Sequence, residues 1–249
     1  MAAYQERPVK NNVLIVGASG GIASALIEQY SCDGARVFAV SRVPLSDTNH
    51  SGDVTYHQLA EQDDRHIYGF VKQLAEQDVV LNTVVITTGF LHNESDGIHP
   101  EKRLEDVSEQ ALAAYFSTNS IIPAMWLKHL VNIMSKEGST LVCLSARVGS
   151  ISDNGLGGWY GYRASKAALN MLVKTASVEY KRRLKDVMLV CYHPGTVDTG
   201  LSKPFQKNVA AKKLFTPEFT AKQLIHHLSA LNRDQACHFI DWNGEVVTW

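Results

Sequence analysis

Residues 11–32 read NNVLIVGASGGIASALIEQYSC, and this stretch decides the fold. Val13-Leu14-Ile15-Val16 is a continuous apolar run ending on Gly17, the pattern of a short strand buried on both faces. Beyond the turn, apolar residues at 22, 26, 27 and 30 fall on one face of a helix over 21–32. Between strand and helix, Gly17, Ser19, Gly20, Gly21 and Ile22 form a turn in which the backbone can approach a ligand with no Cβ in the way. The helix N-terminus then offers free N–H groups and a partial positive charge to a phosphate. The spacing is GxxxGxA, which is neither the GxGxxG fingerprint nor a phosphate loop with Lys-Ser/Thr after its second glycine. Taken alone, the loop also reads as a plain glycine-rich βα turn.

Working outward, the same alternation repeats along the chain. Strands are predicted at 35–41, 54–59, 139–145, 186–193 and 237–242, with a further one inside 78–89. Helices are predicted at 65–77, 108–116, 118–136, 160–183 and 217–231, the last with Thr216 as N-cap and Pro217 at its first position. Repeated βα units with two-sided apolar strands imply a single-domain Rossmann fold: a doubly wound, parallel, seven-stranded sheet with helices on both faces. No repeat, low-complexity tract or linker interrupts it, so residues 1–249 are read as one domain. Ligands of such sheets bind at the carboxyl ends of the strands, where the strand order reverses.

Composition narrows the function classes. Lys plus Arg number 24 against 25 Asp plus Glu, a net charge of −1, which argues against nucleic acid or an anionic membrane as partner. No apolar run approaches the ~20 residues of a membrane span, and MAAYQERPVK at the N-terminus lacks the apolar core of a signal peptide. Cys32, Cys143, Cys191 and Cys237 contain no CxxC pair and read as reduced, mostly buried thiols of a cytoplasmic protein. Ten histidines include no HExxH or His-x₃-His pair, so no metal is expected.

Two sites carry chemistry beyond the glycine turn. The second strand ends in Ser41-Arg42, where a dinucleotide ribose would lie. A hydroxyl and a guanidinium suit a 2′-phosphate, so NADP(H) is preferred and NAD(H) remains possible; the simpler alternative is a solvated loop arginine. In WYGYRASK (159–166), Tyr162 and Lys166 are spaced i, i+4 and share a helix face. A free tyrosine titrates near ~10, and a neighbouring ammonium favours its phenolate, bringing it toward acid–base work at neutral pH. Such a pair also occurs on ordinary solvated helix faces.

With the glycine turn, Asn119 in FSTNS, the strand 139–145, Tyr162-x-x-x-Lys166 and PGTVDT (194–199) in this order, the chain resembles the short-chain dehydrogenase/reductase family. SARVGSISDNGLGGWYGYRASKAALN (145–170) and the ending IDWNGEVVTW are most similar to its C-factor-like branch, related to sniffer-type carbonyl reductases. The resemblance implies a cofactor half to about residue 145 and a catalytic half beyond it. It implies Tyr162 as proton donor or acceptor and Lys166 as the residue that holds the nicotinamide ribose and depresses the tyrosine pKa. Asn119 would shape the facing helix and help hold a relay water. Thr88 and Gly89 would line the adenosine ribose. Pro194, Gly195, Val197 and Thr199 would position the nicotinamide and pyrophosphate. Residues 199–215 would form a substrate lid. The implied reaction interconverts a small-molecule carbonyl and a secondary alcohol, and the implied assembly is a homodimer or homotetramer. A dinucleotide-binding signalling protein with weak or no turnover is the alternative.

Four positions depart from the family pattern. Ala146 stands where the family has its catalytic serine, with Ser145 just before it and Ser150 a weaker substitute. Ile86-Thr87-Thr88-Gly89 replaces Asn-Asn-Ala-Gly, and Ala23 replaces the last glycine of the turn. The acidic adenine contact after the third strand falls on Ala60 or Glu61.

Overall fold

The computed structural model describes residues 11–45 and 52–249, and the reading of the N-terminal ten residues lies outside them. The main strands are β1 (Asn12–Val16), β2 (Arg36–Ser41), β3 (Asp53–Gln58), β4 (Thr83–Ile86), β5 (Ser139–Leu144) and β6 (Val187–His193). Two-residue strands β7 (Thr196–Val197) and β8 (Leu214–Phe215) precede the last, β9 (Cys237–Asp241). Seven strands form one parallel sheet in the order β3-β2-β1-β4-β5-β6-β9. The chain runs outward from β1 to β3, then crosses to β4 on β1's other side, so the crevice between β1 and β4 is the switch point.

The helices are α1 (Gly21–Cys32), α2 (Asp64–Glu76), α3 (Glu109–Phe116), α4 (Ile122–Leu130), α5 (Tyr160–Arg183) and α6 (Pro217–Ala230). Leu14, Val84, Leu141 and Leu189 pack on one face under Trp126 of α4, Leu74 of α2 and Val173 of α5. Their strand neighbours Val13, Val85, Val142 and Val190 pack on the other under Leu26 of α1 and Leu224 of α6. This alternation is why the central strands are apolar throughout: β5 is buried at all six positions. Each fully buried aliphatic side chain contributes roughly 1.5–3 kcal/mol. Cys143, Cys191 and Cys237 lie in this core and Cys32 is exposed, all four unbridged.

One expected element differs. The helix read over 118–136 begins with a π-turn, Ser117–Ile121, and α4 ends at Leu130. The end has a visible cause: Leu81 N–H donates to Ile133 O (2.8 Å) and Ser135 N–H to Leu81 O (2.7 Å), so residues 133–135 extend beside the approach to β4. No helix among the described residues is long and apolar enough to cross a membrane.

Candidate active site

The glycine turn sits at the switch point and cannot be built from larger residues. Gly17 has φ +90°, and a Cβ on it would lie 2.5 Å from Thr87 Oγ1. Its N–H and that of Ala18 both donate to Val40 O at 2.9 Å, which fixes the turn against β2. A Cβ on Gly21 would lie 3.2 Å from Thr199 Cγ2, so this glycine keeps a passage open between the turn and the segment after β6. The caps of α2, α3 and α6 are supplied by Asp63, Ser108 and Thr216, whereas α1 has neither a capping side chain nor an acidic first turn. Its N–H groups are left to an anion.

Two connected clefts start at this turn. The smaller, about 150 Å³, runs from Ser19 and Gly20 to Arg42 and Gln62. The larger, about 340 Å³, runs from Gly20 and Gly21 past Gly89 to Tyr162 and Lys166. Thr88 lines both, and its Oγ1 is buried with no hydrogen-bond partner. An open glycine cradle, an uncapped helix and an orphaned hydroxyl along one groove suit a dinucleotide. Ser41 does not line the groove; its Oγ accepts Val43 N–H at 3.2 Å and shapes the turn beside Arg42. At the adenine end, Ala60 and Glu61 are exposed, while buried Gln62 lines the cleft and its Oε1 accepts Trp126 Nε1–H at 3.3 Å. Nothing in the sequence singled out Gln62, because its placement depends on a tryptophan 64 residues away.

At the other end α5 carries Tyr162 and Lys166. Lys166 Nζ donates to Leu144 O at 2.8 Å and lies 5.8 Å from the Tyr162 ring centre. A Cβ on Gly89 would come within 3.9 Å of the ammonium, which places the groove floor beside it. Burial lowers the Lys166 pKa to about 8 and raises that of Tyr162 above the ordinary phenol value. At Tyr162 the dominant influence is desolvation of the buried phenolate.

The start of α5 is held by a residue the sequence reading missed. Glu101, 3% exposed, accepts Gly161 N–H through both carboxylate oxygens at 3.2 and 3.1 Å, and its carbonyl accepts Trp159 N–H. Trp159 turns into α5 at φ +54°. A Cβ on Gly161 would collide with Tyr115 and Glu101, so this position is sterically committed. Asn119, fully buried in the π-turn, accepts Phe90 N–H at 2.7 Å and donates to Phe90 O at 2.9 Å and Ser165 Oγ at 3.0 Å. It ties the segment after β4 to α5 and lines neither cleft named above.

Ser145 lines the groove, but its hydroxyl donates to Asn170 Oδ1 at 2.6 Å. Ala146 presents only a methyl near Tyr162. Ser150 accepts Asp153 N–H at 3.1 Å and faces a separate surface groove.

A third cleft of about 340 Å³ opens on the far side of Tyr162. It shares Ile22, Ser145, Tyr162, Pro194, Thr199 and Leu201 with the dinucleotide-shaped groove. Gly195 and Val197 line this third cleft rather than the groove. Gly195 has φ +74° and packs against Phe215 and Trp242. Among the described residues no Lys, Arg, Asp or Glu lines it, and Leu91, Val148, Trp159 and Phe205 make it apolar. The segment 199–215 closes one side through two 3₁₀ turns, Lys203–Asn208 and Ala211–Lys213. Its base is pinned where β7 pairs with β8, and Phe205 meets Trp159 with ring centres 5.3 Å apart. His92 Nε2 lies 3.3 Å from Gly200 O at its near end. Among the described residues, Glu61, Asp63 and His66 form one exposed group of possible metal ligands, none of which lines these clefts; Asp63 Oδ1 there caps α2.

A family model described as short chain dehydrogenase matches residues 11–210. The chain is 26% identical to the 1-hydroxy-2-glutathionyl-2-methyl-3-butene dehydrogenase of Rhodococcus sp. strain AD45, over 96% of this chain and 100% of that one. It is 29% identical to C-signal of Myxococcus xanthus over 147 residues, 59% of this chain and 83% of the relative. The solved structure of the carbonyl reductase Sniffer of D. melanogaster shares the fold, with TM-score 0.80 and 22% identity, covering 96% of this chain and 100% of that one.

Proposed function

The chain belongs to the short-chain dehydrogenases, and on that premise we propose that it is an NADP(H)-preferring oxidoreductase interconverting an uncharged carbonyl compound and its secondary alcohol. The observation that carries this reading is the position of Tyr162, which lines both the glycine-turn groove and the apolar cleft. A group at that junction touches cofactor on one side and substrate on the other.

When bound, a nicotinamide dinucleotide supplies or accepts the hydride. The protein's own residues do the rest. Gly17, Ser19, Gly20, Gly21 and Ile22 hold the pyrophosphate on the uncapped end of α1. Arg42 pairs with a 2′-phosphate, and Thr88 and Gly89 line the adenosine ribose. Pro194 and Thr199 position the nicotinamide end, and Gly195 and Val197, expected beside it, wall the apolar cleft instead. Lys166 holds the ribose hydroxyls beside it, and Tyr162 Oη gives its proton to the carbonyl oxygen or takes it from the alcohol. Asn119 acts through structure, keeping the segment after β4 against α5. The uncharged lining of the apolar cleft favours a neutral aromatic or aliphatic substrate over a charged adduct such as the one in the Rhodococcus relative's name. Exposed Met171 and Val178 on α5 support association of copies as a homodimer or homotetramer, and four unbridged cysteines support a cytoplasmic location.

A second reading has its own support. With Ser145 committed to Asn170 and Ala146 a methyl, Tyr162 lacks the usual partner donor. Loss of one such donor lowers rates by ~10²–10³. A dinucleotide-binding regulator with weak turnover is therefore the alternative. Fluorescence titration with NADPH and NADH, followed by NADPH oxidation with neutral aromatic ketones and aldehydes, tests both. Saturable binding with turnover supports the reductase, and binding without turnover supports the regulator. No saturable binding of either nucleotide overturns both.

A further inference from the structure

The smaller cleft, about 150 Å³, is bordered by an amide that the fold uses on one side alone. Gln62 lies between β3 and α2 and is 7% exposed. Its Oε1 accepts Trp126 Nε1–H at 3.3 Å. An indole N–H donates and never accepts, so the amide is held with its oxygen toward Trp126 and its NH₂ turned away. Trp126 is itself fixed: it is fully buried in α4 and meets the Phe70 ring edge-on, with ring centres 5.8 Å apart.

The NH₂ group is left over. Gln62 Nε2 donates to no described residue. The enclosed side-chain atoms without a partner include Thr88 Oγ1 but not Gln62 Nε2, so this nitrogen keeps accessible surface. Gln62 lines the smaller cleft and neither the larger groove nor the apolar cleft, so that surface opens into the smaller one. An amide donor is therefore fixed at a cleft wall with its hydrogens unmet by the protein.

The surroundings say which ligand group would meet it. The cleft leaves the glycine turn at Gly17, Ser19 and Gly20 and passes Arg42 beyond β2, the side on which the adenosine half of a dinucleotide lies in such a sheet. Gln62 follows β3, the outer neighbour of β2, so it meets the edge of a base remote from its ribose. Among the described residues no Asp or Glu lines this cleft: Glu61 is exposed, and Asp63 Oδ1 accepts His66 N–H at 2.8 Å as the cap of α2. The acceptor expected after the third strand is thus absent and a donor stands in its place. On the remote edge of adenine the amino group donates and N1 accepts, and an N–H donor pairs with N1.

We propose that Gln62 is a specificity-determining residue of the cofactor site, oriented by Trp126 so that Nε2–H donates to N1 of the adenine ring. This rests on the dinucleotide reading and deepens it by naming the base edge that is read and the polarity of the contact.

The test compares NADPH with its deamino analogue, reduced nicotinamide hypoxanthine dinucleotide phosphate, which differs in the base alone. In hypoxanthine N1 carries a hydrogen, so it donates where adenine accepts. Kd for each is measured, without substrate, from the fluorescence of the shared reduced nicotinamide, for the parent, Gln62→Leu and Gln62→Glu. Taking the ratio of the analogue's Kd to that of NADPH within each protein cancels phosphate contacts, added charge and any general loss of packing. The expected ratio is ~5–50 in the parent, where donor faces donor in the analogue, and ~1–2 in Gln62→Leu. In Gln62→Glu it falls below that of Gln62→Leu, because one carboxylate oxygen keeps Trp126 and the other accepts the hypoxanthine N1–H. A parent ratio no higher than that of Gln62→Leu overturns the assignment, and so does a Gln62→Glu ratio as high as the parent's. Where Gln62→Glu does not fold, the parent and Gln62→Leu decide. If the parent binds neither dinucleotide, the dinucleotide reading fails as well; where it binds both equally, the failure is that of Gln62 alone.

Discussion

Replacing Glu101 by alanine should loosen the start of α5, and its cost can be worked from the structure. The carboxylate is the acceptor for Gly161 N–H, 3.2 and 3.1 Å away, in a site where Glu101 is 3% exposed. A hydrogen bond to a charged group contributes about 1.5–3 kcal/mol, and its removal here leaves a buried donor unpaired. The negative charge also faces the positive end of a helix spanning Tyr160–Arg183, worth about 0.3–1 kcal/mol more. The sum is about 2–4 kcal/mol. In a domain of this size each kcal/mol moves the thermal midpoint by ~2–4 °C. Glu101→Ala should therefore melt ~4–16 °C below the parent, and Glu101→Gln, which keeps one acceptor oxygen, should lose less than half as much. Because Tyr162 follows Gly161 directly, kcat for NADPH-dependent reduction should fall in the same order. Circular-dichroism melts of the three proteins, with turnover measured at 20–25 °C below each midpoint, check both points. A Glu101→Ala midpoint within ~1 °C of the parent would refute the clamp.

Two further outcomes follow from charge. Burial lowers the Lys166 pKa from 10.5 to about 8, a displacement worth roughly 3 kcal/mol. The unfolded chain keeps that proton to higher pH, so the penalty is complete below pH 8 and fades as pH rises to 10.5. Lys166→Met should thus be more stable than the parent at pH 7 by urea denaturation, and the gap should close toward pH 10.5; a gap independent of pH contradicts this. Arg42 lines the smaller cleft beside the glycine turn; if it pairs with a 2′-phosphate there, Arg42→Ala should weaken NADPH binding ~10–100-fold, the loss of a charge-assisted bond, with NADH affected far less. Equal losses in a fluorescence titration would remove the 2′-phosphate role.

Much of this architecture was readable from local pattern. Two-sided apolar runs and glycine turns have strong short-range signatures, so β1, α1 and the parallel sheet followed from residues within a few positions of one another. Tyr162 and Lys166 were readable for the same reason, because a helix places i and i+4 on one face. The unreadable parts depend on distant partners. Glu101 joins the site through a residue 60 positions later, and Gln62 is turned by Trp126. Whether Ser145 could stand in for the family serine depended on where it points; it lines both clefts, and its hydroxyl bonds Asn170, 25 positions on. The early end of α4 is likewise set by its neighbour Leu81. Alternation along a strand tells which side a residue faces, not which hydroxyl or amide will already occupy that side.

The proposed chemistry stands or falls on Tyr162 moving the substrate proton at the junction of the two clefts. The most direct measurement is the single-turnover rate of NADPH oxidation with a neutral aromatic ketone, for the parent and for Tyr162→Phe. Both proteins are first shown to bind NADPH by fluorescence. A proton-transferring Tyr162 predicts a rate at least ~100-fold lower in Tyr162→Phe, the scale of a lost general acid. An equal rate in the two proteins would contradict it.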